Sequence, residues 1–154
     1  MSIESRLSAL SLDLPEAATP SFNYVPVTIH AGVAYVSGQL PKENGEVRIR
    51  GKVGDEVALE EAQRAARICV LQALACLKDA LGSLDRVSGV LKIVGFVASS
   101  PGFNDQPKVI DAASTLLVEI FGDSARHARS AVGVFELPRQ SPVEIELIVA
   151  VGGA

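Results

Sequence analysis

The segment Val90–Ala98 is apolar on both faces of a β-strand, and this pattern constrains the fold more than any other. Alternation divides its large side chains into two sets, Leu91, Ile93 and Val97 on one face and Val90, Val94 and Phe96 on the other. A sheet with helices on one side normally leaves its other face polar. The sequence provides no third layer of helices, so we expect another copy of the chain to cover this face. The pattern predicts an obligate homo-oligomer.

The order of elements predicts an α+β two-layer sandwich, one sheet with two helices on one face. Periodicity and turn signals give a helix at 3–10, a linker at 13–20, strands at 24–30, 33–39 and 46–50, a helix at 58–81, a strand at 87–98, a helix at 107–122, and strands at 128–137 and 143–151. We divide the chain into a helix and linker at 1–20 and a single domain at 21–154. The turn at Pro138–Pro142 predicts that the last two strands form an antiparallel hairpin.

Composition excludes several classes of function. The chain has 154 residues with 14 basic and 18 acidic side chains, a net charge of −4. An acidic chain is a poor candidate for binding a phosphate backbone, so we expect no nucleic-acid partner. No segment approaches the ~18 apolar residues of a membrane span, and the N-terminus lacks the features of a signal peptide. We therefore expect a cytoplasmic protein with no membrane partner.

Cysteine and histidine positions do not predict a metal site or a cofactor. Cys69 and Cys76 lie on one helical face about 10.5 Å apart along the axis, which is too far for a disulfide. They match no zinc spacing, and we expect buried, inert thiols. His30 and His127 are far apart in sequence, and we interpret each as a surface or packing residue.

Arg129 is the first polar residue of interest within a strand. If Val132 and Val134 face the helices, alternation places Arg129 on the open face beside Ala131 and Gly133. A guanidinium beside small residues has room for a ligand, and its fork matches a carboxylate. The residues alone leave an ordinary ion pair with a neighbouring acid equally open.

Glu144 and Glu146 alternate with apolar residues, which places both carboxylates on the face opposite the helices. In an oligomer interface at least one of them would be partly desolvated, and its pKa would rise toward a useful acid–base value. A pair of solvated edge residues is the equally open alternative.

Four segments together resemble the Rid (YjgF-type) family of reactive imine and enamine deaminases, formerly named endoribonuclease L-PSP. They are Tyr24-Val-Pro26, Val36-Ser-Gly-Gln-Leu-Pro41, Ala128-Arg-Ser-Ala-Val132 and Val143-Glu-Ile-Glu146. The resemblance covers about residues 20–151. It implies a chorismate-mutase-like fold with one mixed sheet, assembled as a homotrimer with clefts between subunits and requiring no cofactor.

The resemblance also implies roles for individual residues. Arg129 matches the arginine that binds the substrate carboxylate, and Glu144 matches the carboxylate that handles water. Tyr24 and the backbone of Ser37 and Gly38 match groups that line the cleft.

The chain departs from the family pattern at two positions. Ala131 stands where many members have cysteine, and Asp111 stands where deaminases have an asparagine that contributes to substrate binding. A negative charge at Asp111 would alter substrate preference or orientation. The N-terminal helix and the longer loop before Pro107 resemble a distinct branch.

The reaction implied is hydrolysis of a 2-imino acid, the tautomer of an enamine such as 2-aminoacrylate, to a 2-keto acid and ammonia. A small imine or keto acid bearing a carboxylate is the expected ligand. The alternatives are ligand binding without turnover and, less favoured, a ribonuclease. In the predicted hairpin Arg129 and Glu144 lie ~23 Å apart within one chain, so we expect each site to combine two chains.

Overall fold

The computed structural model describes residues 1–152, in which a mixed five-stranded sheet packs against two long helices. The helices are α1 (Ile3–Ala9), α2 (Leu59–Leu81) and α3 (Gln106–Phe121). The strands are β1 (Val27–His30), β2 (Val33–Gln39), β3 (Lys42–Glu43), β4 (Glu46–Val47), β5 (Val87–Ala98), β6 (Ala128–Val134) and β7 (Val143–Val151). Short 3-10 turns lie at Leu84–Arg86, Gly122–Ala125 and Pro138–Gln140. The α+β architecture predicted from the sequence is confirmed. The structure adds one strand that was not predicted, β3, and the strands predicted at 24–30 and 46–50 are shorter, at Val27–His30 and Glu46–Val47.

The strand order in the sheet is β1-β2-β7-β5-β6, and β3 and β4 form a separate two-stranded ribbon. β5 and β6 are parallel, whereas β5 and β2 both pair with β7 in the antiparallel sense. The predicted hairpin of the last two strands is therefore wrong. β5 lies between β6 and β7, because a strand that is apolar on both faces fits the interior of a sheet better than its edge.

A β-bulge in β5 changes the faces predicted by simple alternation. The register shifts between Val90 and Lys92, so Val90 and Ile93 both pair with buried β7 residues and both face the helices. Leu91 is left exposed beside the bulge. Val94 and Phe96 pair with Glu146 and Glu144 on the open face, as predicted.

The core lies between the sheet and the two long helices. Small side chains let α2 approach its neighbours closely, and those that are fully buried are Ala62, Ala65, Ala66 and Ala73. On β5, Gly95 leaves the space that Ile110 of α3 fills, since a Cβ there would overlap the isoleucine side chain. α2 ends at Gly82, whose φ of +80° favours glycine.

The first helix packs into the same core. Leu7 is buried, the Ile3 N–H donates to the Asp85 carboxylate at 2.7 Å, and the Arg6 guanidinium donates to the Ile120 carbonyl at 3.4 Å. The domain division at residue 20 stays a prediction. None of the helices in residues 1–152 combines the length and apolar character that a membrane crossing requires.

The open face of the sheet carries large apolar side chains. Tyr35 on β2 is 48% exposed and Val132 on β6 is 42% exposed, while Val94 and Phe96 on β5 are half-buried. The predicted strand at 128–137 ends at Val134, so Phe135 lies outside the sheet, 79% exposed, with the Lys52 ammonium 3.7 Å from its ring centre.

Candidate functional site

Three of the residues predicted for the site line one cleft on the open side of the sheet. Tyr24, Gly38 and Glu144 border a space of about 260 Å³, which we call the Glu144 cleft. Its remaining walls are Ala18, Thr19, Pro20, Ser21, Phe22, Pro26, Gln39, Leu40, Lys42, Pro138 and Arg139. Ligand sites typically enclose about 300–1,000 Å³, so this cleft suits a small metabolite.

A second β-bulge brings the chain close to Glu144. The pairing of β2 with β7 shifts between Val36 and Gln39, so the two residues between them lie against Glu144 and Glu146. A Cβ at Gly38 would overlap the Glu144 carboxylate. Gly38 is therefore needed for close approach and not for an unusual backbone angle.

Ser37 is predicted to line the cleft, but in the structure it lies behind the cleft wall. Its hydroxyl donates to the Val25 carbonyl at 2.8 Å, and its N–H donates to the Pro26 carbonyl at 2.9 Å. These bonds attach β2 to the segment that carries Tyr24. Ser37 thus supports the wall of the cleft, and it is not among the residues that line it.

The Glu144 carboxylate is half-buried and has no hydrogen bond or ion pair to any group in residues 1–152. Burial raises its pKa, and the negative charge of Glu146 raises it further. The buried Cys69 thiol lies behind it, and burial together with the Glu144 charge raises the pKa of that thiol well above its usual range. Cys69 and Cys76 are both free and buried, which confirms the interpretation from the sequence.

Arg129 faces the helices, so its predicted place on the open face is wrong. It pairs with Ile93 in the parallel β5–β6 register, and Ile93 faces the core. Simple alternation failed because Val132 and Val134 lie on an edge strand, where apolar character does not identify the helix side.

A hydrogen-bond network from α3 holds the Arg129 guanidinium. Its Nη1 donates to Asp111 Oδ1 at 3.3 Å and to Ser114 Oγ at 3.2 Å. Ser114 Oγ lies 2.9 Å from His127 Nε2, and His127 Nδ1 contacts the Ala125 carbonyl. Because a carbonyl only accepts, the hydrogen of the contact with Ala125 lies on His127 Nδ1. We call these groups the Arg129 network.

Sequence reasoning missed Ser114 and His127 as partners of Arg129. Two signals were present. Asp111 and Ser114 are three residues apart on one helix, so they share a face. His127 precedes Arg129 by two positions, so in extended backbone both side chains point to the same side.

The Glu144 cleft and the Arg129 network are separate within one chain. Arg129 and Glu144 lie on opposite faces, two strands apart and three positions apart in register. At ~4.8 Å between strands and ~3.3 Å per residue, their Cα atoms are roughly 14 Å apart. The ~23 Å separation expected from a hairpin is wrong, but one small ligand still cannot contact both groups of a single chain. Asp111 and Arg129 border a shallow surface pocket with Gln63, Pro107 and Lys108.

No group of three or more potential metal ligands occurs in the part of the chain that the structure describes, residues 1–152. The polar groups of the Glu144 cleft suit an anionic organic ligand instead, since a carboxylate and two basic side chains line it.

The mixed sheet, the helices on one face and the cleft on the other define a class of small α+β proteins with an open sheet face. Residues 4–149 match the family described as "YjgF/chorismate mutase-like, putative endoribonuclease", and the chain belongs to this family. The resemblance predicted from the sequence is confirmed.

Three relatives illustrate the range of the family. The solved structure of protein Atu1372 from Agrobacterium tumefaciens, of unknown function, is 47% identical, with a TM-score of 0.90 over 97% of this chain and 92% of that one. Protein TCP17 of Trypanosoma cruzi is 42% identical over 96% of this chain and 92% of its own length. A 2-iminobutanoate/2-iminopropanoate deaminase of Dermatophagoides farinae is 31% identical over 91% of this chain and 94% of its own length.

Proposed function

We propose that the protein hydrolyses small 2-imino acids to 2-keto acids and ammonia, at sites shared between the subunits of a homotrimer. The observation that carries this proposal is the Glu144 carboxylate, half-buried in a cleft of metabolite size with no partner of its own. A carboxylate whose pKa is raised by burial is suited to accept a proton from water near neutral pH. The deaminase among the relatives supports this reaction class.

The trimer brings together the two groups that a single chain keeps apart. The uncovered apolar face, which carries Tyr35, Val94 and Val132, supports an interface between copies of the chain. β6 is an edge strand, so a neighbouring chain can approach Arg129. We propose that Arg129 of one subunit and the Glu144 cleft of the next bind the same ligand.

In this mechanism Arg129 binds the substrate carboxylate and holds the imine carbon in the cleft. Glu144 accepts a proton as water attacks the carbon of the protonated imine, a C–O bond forms, and the C=N π electrons move to nitrogen to give a neutral carbinolamine. Glu144 then gives this proton to the nitrogen, the C–N bond breaks as ammonia leaves, and Glu144 takes the hydroxyl proton as the carbonyl forms. Tyr24 lies on the same wall and supplies a hydroxyl near the reacting atoms. No oxidant or metal is needed for this sequence.

A direct test compares two neighbouring glutamates. The imine of alanine or of 2-aminobutanoate is generated in the assay by an amino acid oxidase, and its decay is followed by competition with semicarbazide. We expect Glu144→Gln to lower kcat/KM by about 10²–10⁴-fold, the usual range for loss of a general acid–base group. Glu146→Gln on the same strand and face, outside the cleft, should retain most of the activity. Equal activity of wild type and Glu144→Gln would refute the role of Glu144.

The shared site has its own test. Arg129→Ala and Glu144→Ala chains should each be inactive, and mixing them should restore part of the activity, because mixed trimers contain some interfaces with both native residues. Light scattering establishes the oligomeric state and mass spectrometry establishes subunit exchange. A stable monomer at micromolar concentration, or no complementation despite exchange, would contradict the proposal.

Ligand binding without turnover is a second candidate, and the Arg129–Asp111 pair favours it. The Asp111 carboxylate already occupies one side of the guanidinium at 3.3 Å, so an incoming carboxylate has to compete with it. Binding of 2-oxobutanoate with no acceleration of imine hydrolysis would select this function.

A further inference from the structure

Two basic side chains in the Glu144 cleft have no part in the reaction proposed above. Lys42 and Arg139 both line the cleft, and neither forms an ion pair with any acid within residues 1–152. Lys42 is half-buried, and its carbonyl accepts a hydrogen bond from the Gln72 side chain at 2.8 Å, which fixes the start of β3. Within the described residues, the two cations therefore lie at one small site without a direct ion pair to either of them.

These two side chains also belong to a second cavity of about 430 Å³. It shares Lys42, Arg139 and part of the linker (residues 10–26, between α1 and β1) with the Glu144 cleft. Its other walls are Pro15, Glu16, Ala17, Asn44, Gly45 and Gln72. We call it the annex. The linker runs along both spaces, so the Glu144 cleft extends past the reacting carboxylate to a cationic end.

Arg139 lies in the turn after β6, where it is exposed and borders both the Glu144 cleft and the annex. Arg139 and Gln140 are consecutive non-glycine residues with φ of +58°. Such left-handed residues are strained and persist where the surrounding structure holds them. The Gly51 N–H donates to the Gln140 carbonyl at 2.9 Å, and this bond anchors the turn.

From this arrangement we infer that Lys42 and Arg139 bind a second carboxylate of the substrate, so the preferred substrates are 2-imino dicarboxylates. This inference rests on the proposed function. Arg129 of the neighbouring subunit would hold the carboxylate next to the imine, and the annex would hold the one at the far end of the side chain. Arginine and lysine together suit a carboxylate, with a fork for two oxygens and a point charge beside it.

The charges in the annex favour a carboxylate over a phosphate. Glu16 lines the same cavity as Lys42 and Arg139, so the three side chains carry a net charge of about +1. A carboxylate balances that charge, whereas a phosphate dianion exceeds it. Glu144 lies in the neighbouring cleft and adds a further negative charge when ionised.

The test measures two substrate classes with one set of variants. Imines of aspartate or glutamate are compared with the imine of 2-aminobutanoate, each generated by an oxidase of matching specificity. We expect wild type to prefer the dicarboxylates, and Arg139→Gln and Lys42→Met to lower kcat/KM for them about tenfold or more, as loss of a charge-assisted bond implies. Both variants should lower kcat/KM for the monocarboxylate imine much less than for the dicarboxylate imines, because only the dicarboxylates carry the group that these two side chains bind. Arg48→Gln, an exposed residue outside both cavities, removes the same charge and is the matched control.

A binding measurement separates failure of this inference from failure of the deaminase proposal. Calorimetry compares 2-oxoglutarate with 2-oxobutanoate, the corresponding keto acids, and inorganic phosphate is the competing probe. Tighter binding of 2-oxoglutarate that is lost in Arg139→Gln supports the annex even if no imine is hydrolysed. No preference in wild type, an equal loss for both keto acids, or stronger binding of phosphate would overturn it. Melting temperatures confirm that each variant is folded; Gln at 139 keeps the same Cβ and adds no backbone strain.

Discussion

The Glu144 cleft and the Arg129 network lie on opposite faces of the same sheet, and they differ in how many hydrogen-bond partners their charged groups have. Glu144 is half-buried on the open face, and no group in residues 1–152 is bonded to its carboxylate. Arg129 faces α3, where Asp111 and Ser114 both accept hydrogen bonds from one of its nitrogens. One polar group is left without a partner, and the other is oriented by several.

This difference indicates which part of the site depends on assembly. An unpartnered carboxylate in a cleft has an intrinsic cost, which a ligand or a neighbouring subunit removes. An arginine held at 27% side-chain exposure keeps its orientation before any ligand arrives. We therefore expect the Arg129 network to be preformed in each chain and the Glu144 cleft to be completed at the interface.

Among variants that keep both Glu144 and Arg129, the largest loss of activity should come from filling the space beside the Glu144 carboxylate. In Gly38→Ala the new methyl group overlaps the carboxylate, which has to rotate away from the cleft. We expect kcat/KM for imine hydrolysis to fall by about 10²-fold, comparable to misplacing a catalytic group by about an ångström. The free energy of unfolding should fall by a small but measurable amount, because the flexible Glu144 side chain has to rotate to make room.

A double-mutant cycle is the control for Gly38→Ala. Adding Gly38→Ala to Glu144→Ala removes the carboxylate that the methyl group meets, so the stability cost of Gly38→Ala should disappear in that background. Equal costs in both backgrounds would show that Gly38 is needed for a reason other than Glu144.

A smaller effect should follow from loosening Arg129. Ser114→Ala removes the hydroxyl that joins the guanidinium to His127. We expect KM for a carboxylate-bearing substrate to rise about tenfold with little change in kcat, since the guanidinium is still present but less well oriented. Ser124→Ala is the matched control, because it removes a hydroxyl that donates only to the Phe121 carbonyl and lies outside the Arg129 network. A fall in kcat alone would contradict a positioning role for Ser114.

Asp111→Asn should strengthen ligand binding, the opposite of the Ser114→Ala effect, and by a smaller factor. The Asp111 side chain is 70% exposed, so its ion pair with Arg129 contributes only about 0.2–1 kcal/mol of interaction free energy. Removing the charge should tighten binding of 2-oxobutanoate up to about fivefold, measured by calorimetry. Weaker binding would mean that Asp111 orients Arg129 and does not compete with the ligand.

The sequence is sufficient to predict where most helices and strands lie, but it is insufficient to predict which strands pair with each other. The spans of β2, β5 and β7 agree residue for residue with the prediction, because alternation and turn residues are local signals. The pairing of β6 was not predictable in this way. The parallel pairing of β6 with β5 depends on the packing of the whole sheet and not on local sequence. The turn at 138–140 is compatible both with this pairing and with a β6–β7 hairpin.

The residues of the candidate site also differ in how well the sequence predicts their positions. Glu144 was assigned to the correct face because its neighbours Val143 and Ile145 are buried in a central strand. Arg129 was assigned to the wrong face because an edge strand carries apolar residues on both sides. Lys42 and Arg139 lie in a two-residue strand and a 3-10 turn, and neither element is long enough to show a periodic pattern in the sequence.

The smallest predicted effect concerns stability and pH, and it tests the unpartnered state of Glu144 without any substrate. Folding raises the pKa of this carboxyl above its ordinary value near 4.5, first through burial and then through the Glu146 charge. Its contribution to stability is therefore fully present below pH 4.5 and is lost as the pH rises through the folded pKa.

Glu144→Gln should consequently match wild type at low pH and become the more stable of the two as the pH rises. Urea unfolding at a fixed protein concentration, from acid to neutral pH, measures the difference, and the fixed concentration removes effects of assembly. Glu146→Gln sharpens the test, because losing that charge brings the folded pKa of Glu144 closer to its ordinary value, so Glu144→Gln should gain less stability in the Glu146→Gln background than in wild type. Parallel curves for wild type and Glu144→Gln would show that the Glu144 carboxylate is solvated or partnered in solution. The contrast with the Arg129 network would then no longer hold.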